Sequence, residues 1–245
     1  MIEALRKPLW IMQASEMVRK FPQESYSALQ DYPTDYLMRW DELCAIAPHT
    51  GVSANDAHQN VGMIARWAEG DKAVVEDPLG KLLLELPLAT LPSSIGKREG
   101  KKVGDELFRL LFDRYENSLR HVGTHLLLTE FNERAVRESL EVGRAFVAFD
   151  WLADSTGFEF AAVEGAKRHE MGSQLALSRD LNLISHAPLP VHWRIVLNGK
   201  IANESTGRTL RFPVEESGNY RAEAWLDVGG EQMLWILSNP VYVLP

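Results

Sequence analysis

At 245 residues the chain has room for one large or two modest domains, and 45% hydrophobic with 24% charged residues is the balance of a folded globular protein, not of a disordered or fibrous one. The formal net charge of −8 argues against a nucleic-acid partner, because such affinity rests on basic residues that release counterions from phosphates. A single cysteine, Cys44, excludes an internal disulfide and a Cys-rich zinc site, and no apolar run reaches the roughly 20 residues needed to span a bilayer, so no membrane partner is expected. Met1–Arg6 is followed by Lys7-Pro8 and not by an apolar core, so no secretion signal is expected and a cytoplasmic location is the default.

Residues 1–33 carry prolines at Pro8, Pro22 and Pro33 and no sustained period of 3.6 or 2.0, so they do not read as the start of a domain. Leu37, Trp40, Leu43 and Cys44 recur at helical spacing behind Thr34 and Asp35, which can cap a helix. His49 to Ala54 lack a polar face, as a buried parallel strand would, and lead into Asn55-Asp56-Ala57-His58 at that strand's C-terminal end. Turn signals at Asp77-Pro78, Pro87 and Pro92-Ser93-Ser94 suggest short helices and a long crossing loop over 62–100. A helix is expected over about 101–118, with Val103, Leu107, Leu110, Leu111 and Tyr115 as its apolar stripe. A strand at 124–128, a helix capped by Asn132 and ended by Gly143, and a strand at 145–152 complete a βαβ-like alternation over residues 1–153.

From Thr156 helical periodicity disappears. Short β-rich runs at 158–163, 174–185, 191–197, 209–214, 220–228 and 233–237 are punctuated by Asn198-Gly199, Thr206-Gly207, Gly218-Asn219 and Gly229-Gly230. Over 154–245 this spacing predicts an all-β sandwich close to the size of an immunoglobulin-like domain. Trp193, Trp225 and Trp235 are expected in its core, and Tyr220 after Gly218-Asn219 has the setting of a tyrosine corner.

The sharpest chemical feature is Asp56-Ala57-His58. A carboxylate and an imidazole two residues apart can address one cation, and oxygen with nitrogen donors suits zinc, manganese or iron. The tripeptide alone is unspecific; its setting is less so. Gly51-Val52-Ser53-Ala54-Asn55-Asp56-Ala57-His58, followed by Gly143-Arg144-Ala145-Phe146-Val147-Ala148-Phe149-Asp150, Thr156-Gly157-Phe158, Gly218-Asn219-Tyr220-Arg221-Ala222-Glu223 and Ser238-Asn239-Pro240-Val241-Tyr242-Val243, resembles the C-terminal part of PHP (polymerase and histidinol phosphatase) domain hydrolases. The likeness is to the carbaryl hydrolase-like subgroup and spans roughly residues 35–245.

The resemblance implies the end of a distorted (β/α)7 barrel, followed here by the immunoglobulin-like sandwich. It also implies Asp56 and His58 as metal ligands, and hydrolysis of small phosphoesters or related esters by metal-activated water. The family's His-x-His motif and its middle Glu and His ligands have no counterpart in this sequence, in which no histidine precedes His49. Two ligands do not make a catalytic centre, since even a catalytic zinc takes three protein ligands. The expectation is therefore an incomplete hydrolase, inactive alone, needing an N-terminal half or self-associating through an exposed strand edge. The alternative is a non-catalytic interaction module with a relic metal motif. His125, at a strand start, and Arg144, after a helix-ending glycine, are the further candidates for substrate binding.

Overall fold

The computed structural model describes residue 20 and residues 32–55, 57–91 and 98–245. Apart from Lys20, Tyr32 and Pro33, the expectation for residues 1–33 lies outside the described residues. The chain divides into two compact units, one holding residues 55–121 and the other residues 31–54 with 122–245.

In the first unit β1 (Gly62–Ala68), β2 (Lys72–Glu76), β3 (Leu82–Pro87) and β4 (Glu106–Leu111) form an antiparallel sheet in the order β3-β2-β1-β4. Gly70 and Asp71 take positive φ in the turn between β1 and β2, a conformation that glycine and aspartate tolerate best. Met63, Ala65, Ala73, Val75, Leu88 and Leu107 make the core, with Phe108, Leu110 and Phe112 against it. The helix expected over 101–118 is thus a strand at its centre, Glu106–Leu111. Gly104, at φ 97°, turns the chain where that helix would have run, and Leu107 finds its partners across the sheet instead of along a helical face. Only a short helix, α2 (Tyr115–Ser118), follows.

The second unit opens with α1 (Thr34–Cys44). It begins where expected but behind Pro33, with no side-chain cap. Then come β5 (Gly123–Leu126), α3 (Glu133–Val142), β6 (Ala145–Ala148), β7 (Glu159–Glu164), β8 (Lys167–Glu170) and β9 (Gln174–Ala176). The remaining strands are β10 (Leu181–Leu197), β11 (Lys200–Pro213), β12 (Gly218–Val228), β13 (Glu231–Ser238) and β14 (Val241–Leu244). α3 behaves as its sequence dictates: Asn132 Oδ1 accepts the Ala135 N–H at 2.8 Å, and Gly143 closes the helix in the left-handed region.

These strands make one ten-stranded sheet whose main path runs β5-β6-β13-β12-β10-β7-β8, with β11 on β10 and β14 joining β12 and β9. This overturns the expected α/β barrel remnant with an appended immunoglobulin-like sandwich, because the chain is mostly β and its main sheet is a curled antiparallel one. The physical reason is in β5 and β6. The helix between them suggested a parallel crossover, yet Thr124 faces Val147 and Leu126 faces Ala145 in antiparallel register, and β6 pairs on its other side with β13. The segment 49–54 joins no strand ladder.

β10 sets the curl. Its first half pairs with β7 and its second with β12, while β11 follows both halves. The break in register between His186 and Val191 contains Pro188 and Pro190, which have no N–H for a ladder. On the inner face Leu181, Leu183, Val191, Trp193 and Ile195 pack with Phe160, Tyr220, Ala222, Trp235 and Val241. Trp193 Nε1 donates to the Gly207 carbonyl at 2.9 Å, and Trp235 Nε1 to that of Ala153 at 3.0 Å. The Tyr220 hydroxyl reaches back to the Glu216 carbonyl at 2.7 Å.

On the other face, α1 meets β12 through a buried ionic group. Arg221, 4% exposed, donates to Asp41 of α1 and, at 3.2 Å, to Glu223, itself 1% exposed. Glu223 also accepts the Tyr32 hydroxyl at 2.8 Å and the Trp225 indole N–H at 3.2 Å. Leu37 and Trp40 complete the seam beside Trp225, Leu234 and Leu237. Burial and the nearby Glu223 carboxylate raise the Asp41 carboxyl against the pull of Arg221, and burial followed by Glu223 pushes the Tyr32 hydroxyl up to about 12.

Candidate functional site

The described residues on either side of Asp56 are irregular and are held by side chains. In the sheet unit Asn239, 1% exposed, accepts the Gly51 N–H at 2.7 Å and donates to the Gly51 carbonyl at 2.9 Å, satisfying both backbone groups of one residue. The same amide donates to the Ala145 carbonyl at 2.9 Å. Ser53 N–H donates to Thr124 Oγ1 at 2.9 Å, and Thr50 Oγ1 to the Leu140 carbonyl at 2.6 Å. Gly51 is small for a reason: a Cβ there would lie 2.7 Å from the ring of Trp40, whose indole N–H donates to the His49 carbonyl at 2.9 Å.

Within the other unit, Asp113 gathers the amides that follow the motif. Its carboxylate accepts the N–H groups of His58 at 3.3 Å, Asn60 at 3.0 Å and Val61 at 3.2 Å, fixing a bend in which Gln59 has φ 54°. His58 itself is exposed. Asp56 lies outside the described residues. Carboxylate and imidazole fit a zinc, manganese or iron ion in kind but not in number, and among the described residues no group of three His, Cys, Asp or Glu is placed to hold a metal.

His125 stands in a more developed setting. It lies on β5, the end strand of the sheet path, opposite Phe146 of β6, and its ring stacks on that of Phe146 with centroids 4.7 Å apart and planes 6° apart. Asp150, just beyond the end of β6, places Oδ2 2.6 Å from His125 Nε2. Ser155 Oγ donates to Asp150 Oδ1 at 2.7 Å and stands 3.4 Å from the same imidazole nitrogen. Burial raises the Asp150 carboxyl, but hydrogen bonds from His125 and Ser155 outweigh it and hold the group below its ordinary 3.8. Asp150 is therefore an anion at neutral pH, and a carboxylate can only accept, so Nε2 carries a proton and, in the neutral imidazole, Nδ1 carries the lone pair.

These three residue types invite comparison with a serine hydrolase triad, and the geometry rules it out. Ser155 is fully buried and donates to the carboxylate, whereas a nucleophilic serine must be reachable and donate to the imidazole. Ser155 is a support for Asp150.

Because the folded-state pKa of Asp150 is depressed, its contribution to stability is complete above its unfolded value near 3.8 and is lost as pH falls through the lower folded value. Acid titration of unfolding should show this directly. D150N is expected to be less stable than the parent at neutral pH, with the gap narrowing below pH ~4.

Arg144 is half-buried at the entrance to β6. Its N–H and carbonyl are used by Ser139 and Leu127, and its Nε is buried without a hydrogen-bond partner among the described residues. The structure does not bring Arg144 into the hydrogen-bonded group around His125. His121, four residues before His125, belongs to the other unit, and burial pushes its imidazole down to about 4, so it is neutral at physiological pH. His49 is exposed and its Nδ1 lies 2.7 Å from the Ala47 carbonyl; His169 and His192 lie on strands, and His186 Nδ1 lies 3.1 Å from the Gly157 carbonyl.

Asp113, Asp150, Ser155 and Asn239 are the residues that sequence reasoning missed as site elements. Asp150 and Asn239 were legible only as polar groups closing or following apolar runs, and nothing local pairs His125 with a carboxylate 25 residues away. No protein-family model, no curated protein and no solved structure matches this chain.

Proposed function

We propose that the chain contributes two metal ligands, Asp56 and His58, and a β-rich unit to a PHP-type metal-dependent hydrolase of small phosphoesters or related esters. The observation that carries this reading is the grip of Asp113 on three successive features of the motif's exit, the amides of His58, Asn60 and Val61, which fixes the backbone beside an exposed imidazole. Such outer support is what a ligand segment needs if it is to meet a cation without first being ordered. No His-x-His occurs in this sequence, so on this reading the remaining ligands would have to be supplied from elsewhere. A metal bound by the completed set would lower the pKa of a water molecule and polarise the phosphoryl or acyl oxygen.

Titration calorimetry with zinc and with manganese tests the ligand assignment. The expected result is one weak site, with affinity at least about tenfold lower in both D56A and H58A. Equal affinity in the parent and both variants would overturn it. A second reading, a non-catalytic interaction module with a relic motif, gains weight from the strand-dominated fold and would then be the better one.

A further inference from the structure

We propose that His125 is the proton-accepting residue of a second hydrolytic site, on the sheet unit, that acts on neutral esters and does not depend on Asp56 or His58. Three observations converge on it. First, the contact with Asp150 at 2.6 Å selects the imidazole tautomer with a bare Nδ1, and Ser155 locks the carboxylate that does so. A general base needs this arrangement: its orientation is set at one nitrogen and the other is left for the reaction.

Second, the ring can be reached. Its side chain is 35% exposed, one face is covered by Phe146, and β5 ends the main path of the sheet. Gly123, two residues back on the same side of β5, adds no side chain beside the pair; a Cβ there would stand 3.7 Å from Asp150 Oδ2 and 3.8 Å from His125 Nε2.

Third, the charges select the substrate. The titratable groups acting on the imidazole are Asp150, in contact with it, and exposed Asp154, whose carboxyl is held down chiefly by its bond to Thr156 and also feels His125. Two carboxylates repel a phosphate dianion and tolerate an uncharged ester.

In the step assigned to this site, water bonds to the acyl carbon as Nδ1 takes one of its protons. The tetrahedral adduct then breaks its bond to the alcohol oxygen, and the leaving alkoxide recovers the proton from Nδ1–H. Ester and water become acid and alcohol, and the imidazole returns to its starting state. His125 touches the reacting water; Asp150 and Ser155 are positioning residues.

The experiment uses the full chain with p-nitrophenyl acetate as the probe and p-nitrophenyl phosphate as the anionic comparison, both with a chelator present. Acetate hydrolysis is expected to fall at least about tenfold in H125Q, toward the general-base range. D150N should slow the reaction, because the imidazole loses the carboxylate that orients it. Long-range proton–nitrogen NMR spectra should show the His125 proton on Nε2 in the parent and a mixed tautomer in D150N.

An unchanged rate in H125Q, a proton on Nδ1 in the parent, or activity abolished by the chelator would each overturn the proposal. Should H125Q fail to fold, the D150N rate and the NMR tautomer decide it. The metal-ligand reading is read by zinc and manganese titration and this one by acetate hydrolysis and the His125 tautomer, so failure here and failure of that reading are distinguishable.

Discussion

Replacing Arg221 with methionine is expected to cost about 3–5 kcal/mol in urea unfolding, because it strands the buried Glu223, and the half-buried Asp41 beside it, without their shared cation. Asp41 and Glu223 both bond this guanidinium, and Arg221 and Glu223 are almost wholly inaccessible. Two carboxyl groups share this single cation, and burial, with the neighbouring Glu223, holds the Asp41 carboxyl above its ordinary range against the pull of Arg221. D41N, which removes one anion but keeps an acceptor for Arg221, should therefore be much milder, within about 1 kcal/mol of the parent. Because a raised carboxyl favours the folded state when protonated, Asp41 contributes most below its unfolded value of 3.8 and loses that contribution as pH rises through the folded value. A triple variant with Arg221, Asp41 and Glu223 all replaced by apolar residues should recover most of the R221M loss. Equal stabilities for R221M and D41N would show that the cluster does not act as a charge-bearing unit.

Trp193→Ala should destabilise the sheet unit by about 3–5 kcal/mol. The side chain is fully buried at the centre of β10, meets the ring of Phe158 at 6.3 Å, and supplies the hydrogen bond to the Gly207 carbonyl. Truncation removes the largest buried side chain there and leaves that carbonyl without its donor. W193F keeps most of the volume and loses the N–H, so its cost should be nearer about 1–2 kcal/mol. Thermal melts of the two variants give the order, and a W193A protein as stable as the parent would mean that the core collapses around the gap.

The parts of the fold that were legible in the sequence are those decided by neighbours in the chain. The cap and glycine stop of α3 are local hydrogen-bond chemistry, and the alternation from Val191 to Leu197 makes a half-buried strand whatever it pairs with. Tyr220 sits where its glycine-asparagine context placed it, bonding four residues back. What failed was decided by partners distant in sequence. Leu107, Leu110 and Leu111 fit a helical stripe as well as a strand, and only pairing with β1 resolves the ambiguity. The strand at Lys167–Glu170 is composed entirely of charged and polar residues, so its pairing with β7 left no apolar signal.

The candidate site divides in the same way. Asp56 and His58 rest on spacing and resemblance alone. His125 was noticed for its position, but Asp150 and Ser155, which determine its chemistry, meet it only because β5 and β6 are adjacent.

The bend at Pro188 and Pro190 has a consequence for how the sheet unit comes apart. One uninterrupted stretch of backbone, β10, is bonded to β7 before the prolines and to β12 after them, and β11 spans both sides. Loosening of either flank therefore acts on the strand that both flanks share. The two flanks are thus seamed together like two panels of cloth sharing one thread, and their unfolding should be a single concerted event, not two successive ones.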